Sequence, residues 1–126
     1  MSEKSNYGCK RWLIPDGHIP NPGNEKILGH EAICFVNSGE KDADIKMTIY
    51  FEDREPNRDI KLKVEAERSL HVWLSKPEML GGVVIPIETP YSIMVESSEN
   101  IVVQHTRVDT RLGNMALLSV IGYPIM

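Results

Sequence analysis

The stretch Ile45-Lys46-Met47-Thr48-Ile49-Tyr50-Phe51-Glu52 decides the fold class. Ile45, Met47, Ile49 and Phe51 alternate with Lys46, Thr48, Tyr50 and Glu52, a period of two that assigns the first set to a core face and the second to water. The run at 60–67 repeats the pattern, with Ile60, Leu62, Val64 and Ala66 alternating with Lys61, Lys63, Glu65 and Glu67. Between the two lies the turn-rich Asp53-Arg54-Glu55-Pro56-Asn57-Arg58-Asp59, so the pair reads as a hairpin.

Working outward, residues 31–36 are apolar on both faces and read as a central strand, turned into the hairpin by Asn37-Ser38-Gly39-Glu40-Lys41-Asp42. Leu70, Val72 and Leu74 form a half-buried strand with Ser69, His71 and Trp73 on its reverse side. Trp12 to Ile14 gives a first strand, and further strands are expected at 83–87, 91–96, 101–110 and 115–123. The last is read as a buried strand, although its propensity also permits a short helix. Only residues 75–80, a capping Ser75 followed by Pro77, suit a helical turn. The expectation is an all-β chain of about eight to nine strands, a two-layer antiparallel β-sandwich of jelly-roll type with little helix.

Length and composition fit one domain spanning 1–126, with 1–8 as a disordered tail. With 41% apolar and 25% charged residues the chain is too hydrophobic for intrinsic disorder. A net charge of -4 argues against a protein that depends on phosphate contacts, so nucleic acid is not an expected partner. Cys9 and Cys34 are the two cysteines; they give no metal framework, and whether they bridge stays open. The N-terminus lacks the apolar segment of a signal peptide, and no apolar run approaches the roughly 18 residues of a membrane span. A cytoplasmic protein that is not membrane-inserted is expected.

His30-Glu31-Ala32-Ile33-Cys34 has the start of a zinc-protease motif but carries Cys34 where the second histidine would stand. In a strand, adjacent residues face opposite ways, so no metal site is expected there. The run Gln104-His105-Thr106-Arg107-Val108-Asp109-Thr110-Arg111 is more informative. It places His105, Arg107 and Asp109 about 7 Å apart in a line, on the face that carries Ile101 and Val103. Ionisable groups at the mouth of a core are paired or serve a site. An imidazole, a guanidinium fork and a carboxylate suit a polyhydroxylated or anionic small molecule, and equally a cross-strand ion-pair ladder or a subunit interface. Trp12, beside the Pro- and Gly-rich residues 15–24, is either a stacking platform or core. No nucleophile elbow, phosphate loop or cofactor motif is present, so no catalytic residue and no cofactor is assigned. For a carbohydrate-cleaving enzyme, Glu31 with Asp109 is the only carboxylate pair to nominate.

Several strings together resemble a known family: His30-Glu31 leading to Asn37-Ser38-Gly39, Ile49-Tyr50-Phe51 with Glu55-Pro56, residues 102–111 around Gln104-His105-Thr106-Arg107, and Ala116-Leu117-Leu118-Ser119. With Trp12 and Gly17-His18-Ile19-Pro20, the pattern is similar to the sensory rhodopsin transducer family over roughly residues 9–123. The resemblance implies a β-sandwich, a cytoplasmic homo-oligomer expected as a tetramer, and a signal-transducing or small-molecule-binding module rather than an enzyme. It further implies a sugar-like ligand, or a membrane photoreceptor or other receptor as partner. Its matching polar positions here are Trp12, His30, Glu31, Asn37, Gln104, His105, Arg107 and Asp109.

Overall fold

One long strand organises the molecule. In the computed structural model, which describes residues 7–24, 26–111 and 115–126, strand β6 runs unbroken from Pro90–Asp109. The other strands, numbered here in chain order, are β1 (Cys9–His18), β2 (His30–Asn37), β3 (Ala43–Phe51), β4 (Asn57–Val64), β5 (Arg68–Trp73), β7 (Ala116–Ile121) and β8 (Tyr123–Ile125). All pairings are antiparallel. The first half of β6 lies between β1 and β3, giving the order β4-β3-β6-β1-β8. Its second half lies between β2 and β7, with β5 beyond β2.

The alternating runs build the core as their period requires. Ile45, Met47 and Ile49 are buried on β3, Ile60 and Val64 on β4, and Ile93, Val95, Ile101 and Val103 along β6. They form one buried cluster with Trp12 and Ile14 of β1 and with Ile33 and Phe35 of β2, so both halves of the sheet share a core. Each such side chain contributes roughly 1.5–3 kcal/mol by leaving water. Leu74 and Leu80 extend the cluster past β5. Between them Pro77–Met79 makes a single 3-10 turn with proline in its first positions, within the stretch where a helical turn is expected.

The structure departs from the sequence reading in several places, one of them the second hairpin strand, which spans Asn57–Val64 and leaves Ala66 in a turn. The two strands expected at 91–96 and 101–110 are one, because Ser97 remains in the ladder opposite Ile45 and β1 resumes pairing at Ile101 after a register shift. The strand expected at 83–87 is irregular chain: it follows Gly81 and Gly82, both in the left-handed region, and it contains Pro86. Thr48, expected on the wet face, is buried on β3, which is flanked by β4 and β6. The first strand is longer than Trp12 to Ile14 and runs on to His18. The stretch 115–123 is two strands, and β7 is exposed at every position instead of buried. Of the expected tail at 1–8, residues 1–6 lie outside the described residues, and the Tyr7 backbone N–H donates to Ser38 Oγ at 3.2 Å.

Candidate functional site

Where the second half of β6 meets β2, the apolar row of Ile101 and Val103 continues as His105 and Arg107. Opposite them, Glu31 of β2 turns inward and is 0% exposed. Its neighbour His30 points away and stacks on Trp73 of β5, ring centroids 3.7 Å apart and planes within 4°. The strand alternation that separates His30 from Glu31 is therefore what frees Glu31 for a different role.

Each oxygen of the Glu31 carboxylate is engaged on one side. Oε2 accepts from Arg107 Nε at 2.7 Å and lies 3.2 Å from His105 Nε2. Oε1 accepts from the His18 backbone N–H at 2.9 Å and from the Tyr91 hydroxyl. Burial pushes the Glu31 carboxyl toward the neutral form, but the adjacent His105, the Tyr91 hydroxyl and Arg107 outweigh it and leave its pKa below the usual value. Burial and the Glu31 charge push the Tyr91 phenol up, so it stays protonated and donates. Burial lowers the Arg107 guanidinium pKa, but the hydrogen bond and charge of Glu31 raise it further, and the net shift is upward. His105 is 3% exposed, and its Nε2 lies out of line for a hydrogen bond to Glu31, which leaves a buried polar atom without an aligned partner.

Above this cluster opens a cleft of about 200 Å³. His105 and Arg107 line its polar side, with Asp16 of β1; the Asp16 carbonyl accepts from Arg107 Nη2 at 3.3 Å. Leu13 and Ile14 of β1 and Leu118 and Val120 of β7 give it apolar walls. The arrangement offers hydrogen-bonding groups fixed by a buried counter-charge beside apolar surface, the usual composition of a small-molecule site.

The remaining residues singled out from sequence go elsewhere. Asp109 turns to Arg111, whose Nη2 lies 2.7 Å from its Oδ2, and that hydrogen bonding holds the Asp109 carboxyl below the usual range. Arg111 also reaches Glu88 at 3.3 Å. Gln104 is exposed on the face opposite His105. Trp12 is core, its indole N–H donating to the Cys9 and Ile101 carbonyls, both at 3.1 Å. Asn37 is buried and ties the turn into β3: Nδ2 donates to the Lys41 and Val64 carbonyls at 2.8 and 3.1 Å, and Oδ1 accepts from Gly39 N–H at 3.0 Å. Cys9 and Cys34 are both free thiols. Of the eight positions, the structure brings together Glu31, His105 and Arg107.

Sequence reasoning missed Tyr91, Asp16, Gly17 and the His18 amide. Tyr91 had one legible signal: it heads the inward row of Ile93 and Val95, and a buried hydroxyl requires a partner. Gly17 stands in the resemblance string Gly17-His18-Ile19-Pro20 without a role; a Cβ there would stand 2.5 Å from Tyr91 Cε2, so only glycine lets β1 lie against that ring.

No helix among the described residues is long and apolar enough to cross a membrane. No curated protein matches the chain. Among solved structures it is similar to Thermotoga maritima 1070, at 35% identity and a TM-score of 0.85, with 94% of this chain and 97% of that one covered. It is also similar to the Anabaena sensory rhodopsin transducer, at 35% identity and a TM-score of 0.71, covering 80% of this chain and 98% of that one. The family model described as Anabaena sensory rhodopsin transducer matches residues 7–124, and the chain belongs to that family of signal transducers.

Proposed function

We propose that this chain is a non-enzymatic, single-domain cytoplasmic signal transducer whose input is a small polyhydroxylated molecule bound in the cleft over Glu31. The observation that carries the reading is the fully buried Glu31 holding Arg107 and His105 at the polar side of an apolar-walled cleft. Arg107 presents guanidinium N–H donors, and His105 lines the cleft beside it. Of the sugar-like and anionic ligands that the sequence suggests, the sugar-like class fits better. Glu31 already balances the Arg107 charge and Asp16 stands at the rim, so the site offers no surplus positive charge. The C–H faces of a sugar ring suit Leu118 and Val120.

The proposal includes self-association, as the tetramer expected from sequence. β7 pairs on one edge with β6, and Leu117, Val120, Ile121 and Tyr123 are 52–68% exposed. Residues 115–126 contain no charged side chain, so in a chain of net charge -4 this is where two copies meet with least repulsion. A second reading, an adaptor docked on a membrane receptor such as a sensory rhodopsin, draws on the same exposed strand.

A thermal-shift screen of sugars, sugar acids and nucleotides, with the mass measured by light scattering on the same samples, separates the readings. A ligand at about 100 times its Kd stabilises by about 2.7 kcal/mol, and Arg107→Ala is expected to lose that shift while remaining folded and oligomeric. No shift with any compound favours the adaptor. An Arg107→Ala variant that falls to monomers assigns Arg107 to an interface.

A further inference from the structure

We infer that Glu31 couples the cleft to the opposite side of β1, so that the state of the cleft is read out in a second cleft. This deepens the proposed transducer reading by naming its internal output path. The carboxylate has two faces with different clients: Oε2 serves Arg107 and His105 in the first cleft, and Oε1 serves the His18 amide and the Tyr91 hydroxyl. Tyr91 lines a second cleft with Tyr50 and Phe51 of β3, and Pro15 and Asp16 line both. The shared wall is where β1 slips register against β6, between Ile14 and Gly17. Irregularities of this kind bend a strand and re-aim its side chains.

This wall is held from both sides. Arg107 Nη2 holds the Asp16 carbonyl, the next residue Gly17 packs on the Tyr91 ring, and the following amide, His18, is held by Glu31. A ligand hydroxyl that engages Arg107 or His105 draws on the groups that Oε2 holds and turns the carboxylate. The half-buried His18 N–H and the buried Tyr91 O–H then lose their acceptor, and a buried donor does not stay unpaired, so residues 15–18 and the Tyr91 ring re-seat. Coupling through one rigid group is reciprocal: a push from the second cleft must reach His105.

Amide hydrogen exchange followed by NMR on the full chain tests this without a ligand. Arg107→Ala is expected to speed exchange of the His18 amide by about tenfold or more, while Arg11, Trp12 and Leu13 of the same strand keep their protection. Lys63→Ala, on the exposed face of β4 and paired with Asp42, leaves His18 unchanged. From the other side, Gly17→Ala, whose Cβ meets the Tyr91 ring, shifts the His105 ring resonances. Should Arg107→Ala not fold, Arg107→Lys is read by the same criteria. A His18 amide as protected as in the native chain, or uniform acceleration along β1, overturns the coupling, as does a Gly17→Ala variant with unmoved His105 resonances. A blank ligand screen together with the expected exchange pattern leaves the coupling standing and removes only the choice of input.

Discussion

Glu31 and β7 reverse the ordinary placement of polar and apolar residues within one sheet. Glu31 is ionisable and fully buried, whereas Leu117, Val120 and Ile121 are aliphatic and more than half exposed. Both pair with the second half of β6, from opposite edges. The difference lies in what each can find within a single chain. Glu31 meets Arg107, His105, Tyr91 and the His18 amide, which replace the hydration that an ionised carboxylate gives up. Among the described residues β7 pairs with β6 alone and is exposed at every position, so burying its aliphatic side chains requires another molecule.

The comparison breaks most severely if Glu31 is removed. Glu31→Ala leaves Arg107 without its buried counter-charge and Tyr91 without its acceptor, and the expected loss is about 3 kcal/mol, read as a lower urea midpoint with an unchanged slope. A loss below about 0.5 kcal/mol shows that Glu31 is not what holds this end of β6. Asn37→Ala probes a buried polar group with no role in the cleft. Its three hydrogen bonds in the turn make a loss of about 1–3 kcal/mol expected, with ligand-induced shifts untouched.

Acid sharpens the Glu31 half of the comparison. Its folded pKa lies below the ordinary value of 4.5, so its ionised form contributes stability that is fully present above that value and is lost as pH falls through the folded pKa. Unfolding midpoints measured from neutral pH down into that range are expected to fall more steeply for the native chain than for Glu31→Gln. Parallel curves contradict the assignment. On the β7 side, Leu117→Lys places a charge on the exposed strand away from the cleft lining, and is expected to lower the light-scattering mass with little change in the circular dichroism spectrum. An unchanged mass means that β7 does not join copies. The smallest effect is expected at Arg111, whose exposed pairs with Asp109 and Glu88 are screened by solvent, so Arg111→Ala leaves the urea midpoint in place.

Much of the all-β architecture was legible because period-two patterning is a local property. Ile45, Met47 and Ile49 face the core as their spacing requires, and the hairpin to β4 follows from the turn residues between them. His105 and Arg107 were legible as a pair for the same reason, being two residues apart on a row that starts apolar. Asp109, in line with them, was misleading: strand spacing fixes a direction, but Arg111 two residues on is a nearer partner than Glu31. Trp12 and Asn37 carry polar atoms, and backbone carbonyls satisfy these inside the core and the turn. The His18 amide and the Tyr91 hydroxyl reach Glu31 from 13 and 60 positions away, and no local pattern joins such positions.

The sequence by itself determined the all-β character, the inward rows of Ile45, Met47 and Ile49 and of Ile101 and Val103, and the alternation that sends His30 and Glu31 to opposite faces, because each depends on backbone geometry over a few residues. The tertiary structure alone decided that 91–96 and 101–110 are one strand, that Glu31 is the centre of a buried polar cluster, and that β7 is exposed. Each of those outcomes depends on which distant groups come to lie alongside. That is settled by pairing across the sheet, where a partner satisfies a buried charge or covers an apolar face, and not by the residues next to it in the chain.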